Sequence, residues 1–148
     1  MATYGPISTF LHLHPRLPVP LDGTRLYPEA DKAIVRQVFL MAKHLKQTLT
    51  EAAHGSRSNF FTITALDGAF GLGRRLHSQT FSAMTGGLFG LTKTLGHEWP
   101  NVFCRGIDVS PELTPAQVVQ SILAELHDPN SMIAEVGYAS DGRTTLNC

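Results

Sequence analysis

Apolar and polar residues follow two periods along this chain, one of two residues and one of three to four, and the changes between them mark out its elements. Residues 7–14 alternate after Phe10 and are rich in strand formers, which predicts a first strand. Pro15, Pro18, Pro20 and Gly23 then predict an irregular connection. From Pro28 onward Ile34, Val35, Val38, Met41, Ala42, Leu45, Leu49 and Ala52 form a helical stripe. Proline stands in its first turn, with Glu29 and Asp31 near the positive end of its dipole. Its end is expected near His54-Gly55, with Gly55 in a left-handed cap.

Residues 59–66 are apolar or β-branched on both faces, which predicts a strand covered on both sides. Phe81, Met84, Leu88, Leu91 and Leu95 recur at helical spacing, which predicts a helix over about 78–98, stopped by Trp99-Pro100. A third strand is expected over 102–109. Thr114-Pro115-Ala116-Gln117 is a helix start with a capping box, and Val118, Val119, Ile122, Leu123 and Leu126 supply the expected buried stripe. A fourth strand over 132–138 turns through Ser140-Asp141-Gly142 into a hairpin. This alternation predicts an α/β fold with a mainly parallel sheet, right-handed crossovers, flanking helices and a C-terminal β-hairpin. Gly86, Gly87 and Gly90 weaken their helix by about 1 kcal/mol each relative to alanine, so a close approach is expected there, either by another surface or by packing on the chain's own sheet.

Composition narrows the function. The 148 residues make a single domain, 1–148, in which 1–28 is a strand with its connection and 29–148 an α/β core. Twelve basic and twelve acidic residues balance, and no long charge run exists to attract nucleic acid or an anionic membrane. No apolar run approaches the roughly 20 residues that span a bilayer, and residues 1–10 lack the order of a signal peptide, so a cytoplasmic protein is expected. Cys104 and Cys148 form neither a disulfide framework nor a metal spacing. His12 and His14 would share one strand face, but no third ligand stands at a suitable spacing, so no metal is expected.

Gly68-x-x-Gly71-x-Gly73 follows a strand as a phosphate cradle would, yet the glycine spacing differs from the dinucleotide fingerprint, and Arg74, Arg75, Leu76 and His77 intervene before the helix. A plain loop, with the two arginines solvated, is the expectation. Asp67, Glu98 and Asp108 lack a catalytic partner in sequence and read as turn or strand-end carboxylates unless the fold brings two together.

The strand from Phe60, the words Phe81-x-x-x-Thr85-Gly86-Gly87-Leu88-Phe89-Gly90-Leu91-Thr92-Lys93-Thr94-Leu95 and the strand Cys104-Arg105-Gly106-Ile107-Asp108 resemble the second half of a short-chain dehydrogenase/reductase. The resemblance implies a catalytic Ser at the strand end and a Tyr-x-x-x-Lys pair on the helix. Here those positions fall on or beside Ala65, on Phe81 and on Thr85, which offer no hydroxyl at Ala65, no phenol and no ammonium.

Gly86 to Trp99, Asp108-Val109-Ser110-Pro111-Glu112-Leu113 and Ile133-Ala134-Glu135-Val136-Gly137-Tyr138 are further similar to the structural half of the ketoreductase region in type I polyketide synthases and polyunsaturated fatty acid synthases. That resemblance implies a truncated Rossmann-like fold with no catalytic, cofactor-binding or metal residues of its own. NADPH is then expected on a catalytic partner half, which reduces a β-ketoacyl chain on an acyl carrier protein. Pairing would run through helices 29–53 and 78–98. Two alternatives stand beside it. One is a small NADPH-binding reductase using the Gly68–Gly73 loop and Tyr4 or Tyr138 as acid, and the other a protein that self-associates through the same helices.

Overall fold

The computed structural model describes residues 5–16, 28–73 and 82–146. Its elements are β1 (Thr9–Leu13), α1 (Glu29–Ala52), β2 (Ser58–Thr64), α2 (Met84–Glu98), β3 (Val102–Val109), α3 (Pro115–His127), β4 (Glu135–Ala139) and β5 (Gly142–Thr145). The sheet follows chain order, β1-β2-β3-β4-β5. Its first four strands are parallel, and β5 returns antiparallel to β4. The expected α/β fold with its terminal hairpin is therefore present.

Side-chain alternation gives the sheet two different covers. Phe60, Val102 and Cys104 face α1 and α2, and join Val38, Ala42, Leu45, Leu49, Leu88, Leu95 and Trp99 in one core. Phe61, Ile63, Phe103, Ile107 and Val109 face the other way and pack with Val136 of β4 and Ile122 of α3. Each crossover moves one strand in the same direction, so a helix on the opposite face reverses the hand of its connection. The β3-α3-β4 connection has the opposite hand to the other two, which corrects the expectation of uniformly right-handed crossovers.

Arg105 gives the physical reason. It projects from β3 toward α3 with no exposed surface. Its Nη1 donates to Glu125 of α3 and to Asp128 at 2.8 Å, its Nε to the Ile133 carbonyl at 2.9 Å, and its Nη2 to the Asn130 carbonyl. The guanidinium also lies 4.3 Å from the Phe103 ring centroid. Glu125, itself buried, accepts in addition from Tyr138 and from Arg143 Nε at 2.7 Å, which ties the hairpin into the same network. A buried charge is retained only when paired, so α3 sits on the face that Arg105 occupies.

Element boundaries shift for local reasons. α1 ends without a left-handed glycine; the Ala53, His54 and Gly55 N–H groups donate back to the Leu49, Glu51 and Ala52 carbonyls, and Gly55 keeps an ordinary φ. α2 begins at Met84 rather than near 78, because Ser82 accepts the first free N–H groups, from Met84 through its hydroxyl and from Thr85 through its carbonyl. Residues 78–81 lie outside the described residues. Thr85, Phe89 and Thr92 join Leu88 and Leu95 on the buried face, and Thr92 is accommodated there because Thr62 bonds its hydroxyl at 2.7 Å. Gly106 leaves room for the Phe89 ring, since a Cβ there would fall 2.5 Å from it. Met41, Val119 and Leu123 are exposed against expectation, and Glu125 holds the buried place on α3. The fourth strand starts at Glu135, with Met132 90% exposed ahead of it. The Thr114–Gln117 capping box forms as expected.

Removing one partner of a buried ion pair strands the other, at a usual cost of about 3–5 kcal/mol. Glu125→Ala is expected to lower the unfolding free energy by that amount in urea titrations, whereas a loss under about 1 kcal/mol would place the network outside the stability-determining set. Burial pushes the Glu125 carboxyl up, but hydrogen bonds from Arg143 and Tyr138 and the Arg105 charge outweigh it and hold the group below its ordinary range. The stability it contributes is complete above an unfolded value of about 4.3 and is lost as pH falls through its lower folded value. The urea midpoint of the native chain is expected to fall more steeply below about pH 4 than that of Glu125→Gln.

Candidate functional site

The carboxyl edge of the sheet is organised by two carboxylates. Asp108, buried at the end of β3, accepts the N–H groups of Leu66 and Phe70 at 2.8 Å and of Asp67 at 3.4 Å, and the Thr64 hydroxyl at 3.4 Å. Asp67 accepts from Ala69 and Gly71 at 2.8 Å and from Gly73 at 2.9 Å. Backbone geometry makes this closure possible: Gly68 and Gly71 have φ of 75° and 77°, and even Phe70 is at 60°. Gly68 also presses against β4, where a Cβ on Gly137 would lie 2.0 Å from the Gly68 carbonyl oxygen.

The two acids titrate in opposite directions. Burial raises Asp108, with the Asp67 charge adding to it, and the N–H bonds from Leu66, Phe70 and Asp67 only partly offset this. Burial also pushes Asp67 upward, but the N–H groups of Gly71, Ala69 and Gly73 prevail and lower it. The fold thus brings together two of the three carboxylates that sequence left isolated, and gives them a structural task. Glu98 is exposed at the far end of α2, by the amino ends of the strands.

A phosphate cradle needs its N–H groups free. In this loop the N–H groups of residues 66, 67, 69, 70, 71 and 73 donate to the chain's own acids. The glycine spacing that resembled a cradle serves this inward closure. Arg74 and Arg75 lie outside the described residues.

These elements have a counterpart in a known protein. The chain is similar to part of a fatty acid synthase. It is 30% identical over 132 residues to a polyunsaturated fatty acid synthase polypeptide of Thraustochytrium sp., a match that covers 84% of this chain and 5% of that protein. The chain therefore spans a small fraction of the relative's length. No family model matches it, and no solved structure does.

The positions singled out by the reductase resemblance do not assemble. Phe81 lies outside the described residues. Thr85 is buried in α2, while Ala65 packs with the core on the α3 side of the sheet. Beside Ala65, Thr64 places a hydroxyl on the α2 face, but directs it to Asp108. Tyr4 is outside the described residues, and the Tyr138 phenol is bound to Glu125 and pushed up to about 12 by burial and by that bond. Cys104 is buried among apolar residues, which push its thiol up to about 12, and Cys148 lies outside the described residues.

The structure places two further features that the sequence singled out. Gly86, Gly87 and Gly90 form an exposed strip of α2 where an added Cβ would meet nothing within 4 Å. Close packing on the chain's own sheet, the competing explanation for these glycines, is thereby removed. His12 and His14 do share one face of β1, with ring centroids 5.8 Å apart, and the buried Asp31 lies at the start of α1. Among the described residues no three His, Cys, Asp or Glu side chains are arranged to hold a metal ion. Also among them, no helix is long and apolar enough to cross a membrane.

Asp108→Asn replaces one acceptor oxygen by a donor that faces N–H groups. It is expected to cost about 1–3 kcal/mol and to speed amide exchange of residues 66–73 selectively. Unchanged protection of that loop would show that Asp108 does not hold it.

Proposed function

We propose that this chain is the noncatalytic structural half of a polyketide-synthase-type ketoreductase and braces an NADPH-dependent catalytic half acting on a β-ketoacyl chain. The observation that carries the reading is α2. It keeps the reductase words, buries Thr85 where the resemblance implies lysine, and turns outward a glycine strip that meets nothing among the described residues. Similarity to a segment of a polyunsaturated fatty acid synthase supports the synthase context. In this reading the acyl carrier protein meets the catalytic half, and this chain contributes shape and a pairing surface.

That surface comprises α2 and the neighbouring α1, the helices 29–53 and 78–98 of the sequence expectation. Phe39, Leu40 and Met41 of α1 are 43–48% exposed, so α1 also presents apolar area to the outside. Small residues let another helix approach closely, and aliphatic neighbours supply the area that stabilises the contact. Leu11 and Leu13 on the opposite face of β1 are exposed as well, which suits a domain seated against further protein.

The alternative, a reductase with its own NADPH site, has less support. Its phosphate loop is closed on Asp67 and Asp108, and the Tyr138 phenol is committed to Glu125. A phenol held near 12 is a poor proton donor at neutral pH.

Fluorescence titration of the isolated chain with NADPH is expected to give no saturable signal; micromolar binding would favour the alternative. For the pairing surface, Gly87→Glu and Gly90→Glu separate folding from association. In open space each removes a helix-weakening glycine, so thermal stability of the isolated chain should hold or rise, by up to about 1 kcal/mol per site. Co-purification with a co-expressed catalytic ketoreductase half from the same synthase should drop at least tenfold. Retained association with both variants would move the interface elsewhere.

A further inference from the structure

Three buried polar atoms without a hydrogen-bond partner gather where β1 ends and α1 begins: His12 Nε2, His14 Nδ1 and Asp31 Oδ1. Asp31 is 1% exposed, and both imidazoles are half-buried on the face of β1 that carries Phe10 onto Phe60. Nearly all buried polar groups in folded proteins are paired, so three such atoms in one corner mark a place not arranged for stability alone.

The chemistry of the corner is asymmetric. Asp31 acts on His14, and His14 in turn on His12 with ring centroids 5.8 Å apart, so protonating both rings sets two like charges side by side with one carboxylate in a poorly hydrated place. β2 brings Thr62 and Thr64 to the same face, with Thr62 engaged by Thr92 of α2. Asp108, two strands away, is occupied by loop N–H groups. On α1, Lys32 is exposed and paired with Glu29 at 2.6 Å, and Arg16 beyond β1 is exposed.

We propose that His12, His14 and Asp31 form a proton-operated latch: neutral imidazoles keep the first turns of α1 seated on β1, and protonation in mild acid loosens them. The sign follows from burial, the larger influence on both rings, which lowers them from an ordinary 6.5. His14 lowers His12 further, and Asp31 partly raises His14. The folded chain therefore binds fewer protons than the unfolded one. Latching is complete above the unfolded value and declines as pH falls through 6.5 toward the lower folded values.

Amide exchange of the full chain, corrected for intrinsic rate, tests this at about pH 7.5 and about pH 5.5. Protection of residues 29–36 is expected to fall on the order of tenfold, with the rest of α1 unchanged. His12→Gln combined with His14→Gln should remove the pH dependence. Asp31→Asn, which takes away the charge that raises His14, should lower its folded value further and deepen the loss at about pH 5.5. Imidazole Cε1–H resonances give a readout on the native chain without any variant, and both should titrate below 6.5. Equal protection at the two pH values, a loss spread over the whole chain, or either imidazole titrating above 6.5 would overturn the latch.

Discussion

Arg105 stands on a central strand with none of its side chain exposed, and a charge in that position is sustainable only with its donors engaged. Its partners come from three places in the chain: Glu125 on α3, Asp128 with the Asn130 and Ile133 carbonyls in the following connection, and, through Glu125, Tyr138 and Arg143 of the hairpin. Satisfying one guanidinium thus fixes the face on which α3 lies and the seat of β5. The unusual hand of the last crossover follows from it. Apolar burial alone would have allowed α3 on either face, since β3 is buried on both.

At the carboxyl ends of the strands the same logic runs with the opposite charge. Parallel α/β sheets usually place ligands there, in the crevice outside the strand ends. Here Asp67 and Asp108 fill the loop from within, taking N–H groups that a bound anion would otherwise use. The loop is ordered by the chain itself and requires no cofactor to close it. This inward closure differs from an open phosphate cradle more sharply than the glycine spacing does.

Much of the fold was legible because it rests on periodicity. The both-faced strand at Phe60 to Thr64, the Thr114 capping box and the Asp141-Gly142 hairpin each carry a local signal that the structure honours. What escaped was set by pairing across the fold. Arg105 lies 20 and 23 residues from Glu125 and Asp128, and a charged residue inside an apolar strand has no local signature of its partner. For the same reason Val119 and Leu123 were assigned to a buried stripe that Glu125 occupies. Thr85 and Thr92 were missed as core residues because propensity does not record that Thr62 satisfies the Thr92 hydroxyl. At the carboxyl edge, Asp67 and Asp108 had no partner in sequence, and their use became visible only when the loop folded over them.

The two halves of the molecule divide the work. Electrostatic pairing on the α3 side fixes one face of the sheet and its hairpin, whereas α1 and α2 are held mainly by apolar contact with the other face. Among the described residues, the outer surface of α1 and α2 carries little of the fold: a Cβ at its glycines would meet nothing within 4 Å, and Phe39, Leu40 and Met41 are exposed. A helix that needed only to cover its own sheet would gain about 1 kcal/mol from alanine at each of Gly86, Gly87 and Gly90. Retaining three glycines on one exposed strip therefore forgoes stability that the domain could have had at no steric cost. The physical use that such a strip offers is close approach by another surface, which is what the proposed pairing of α1 and α2 with a catalytic half would require.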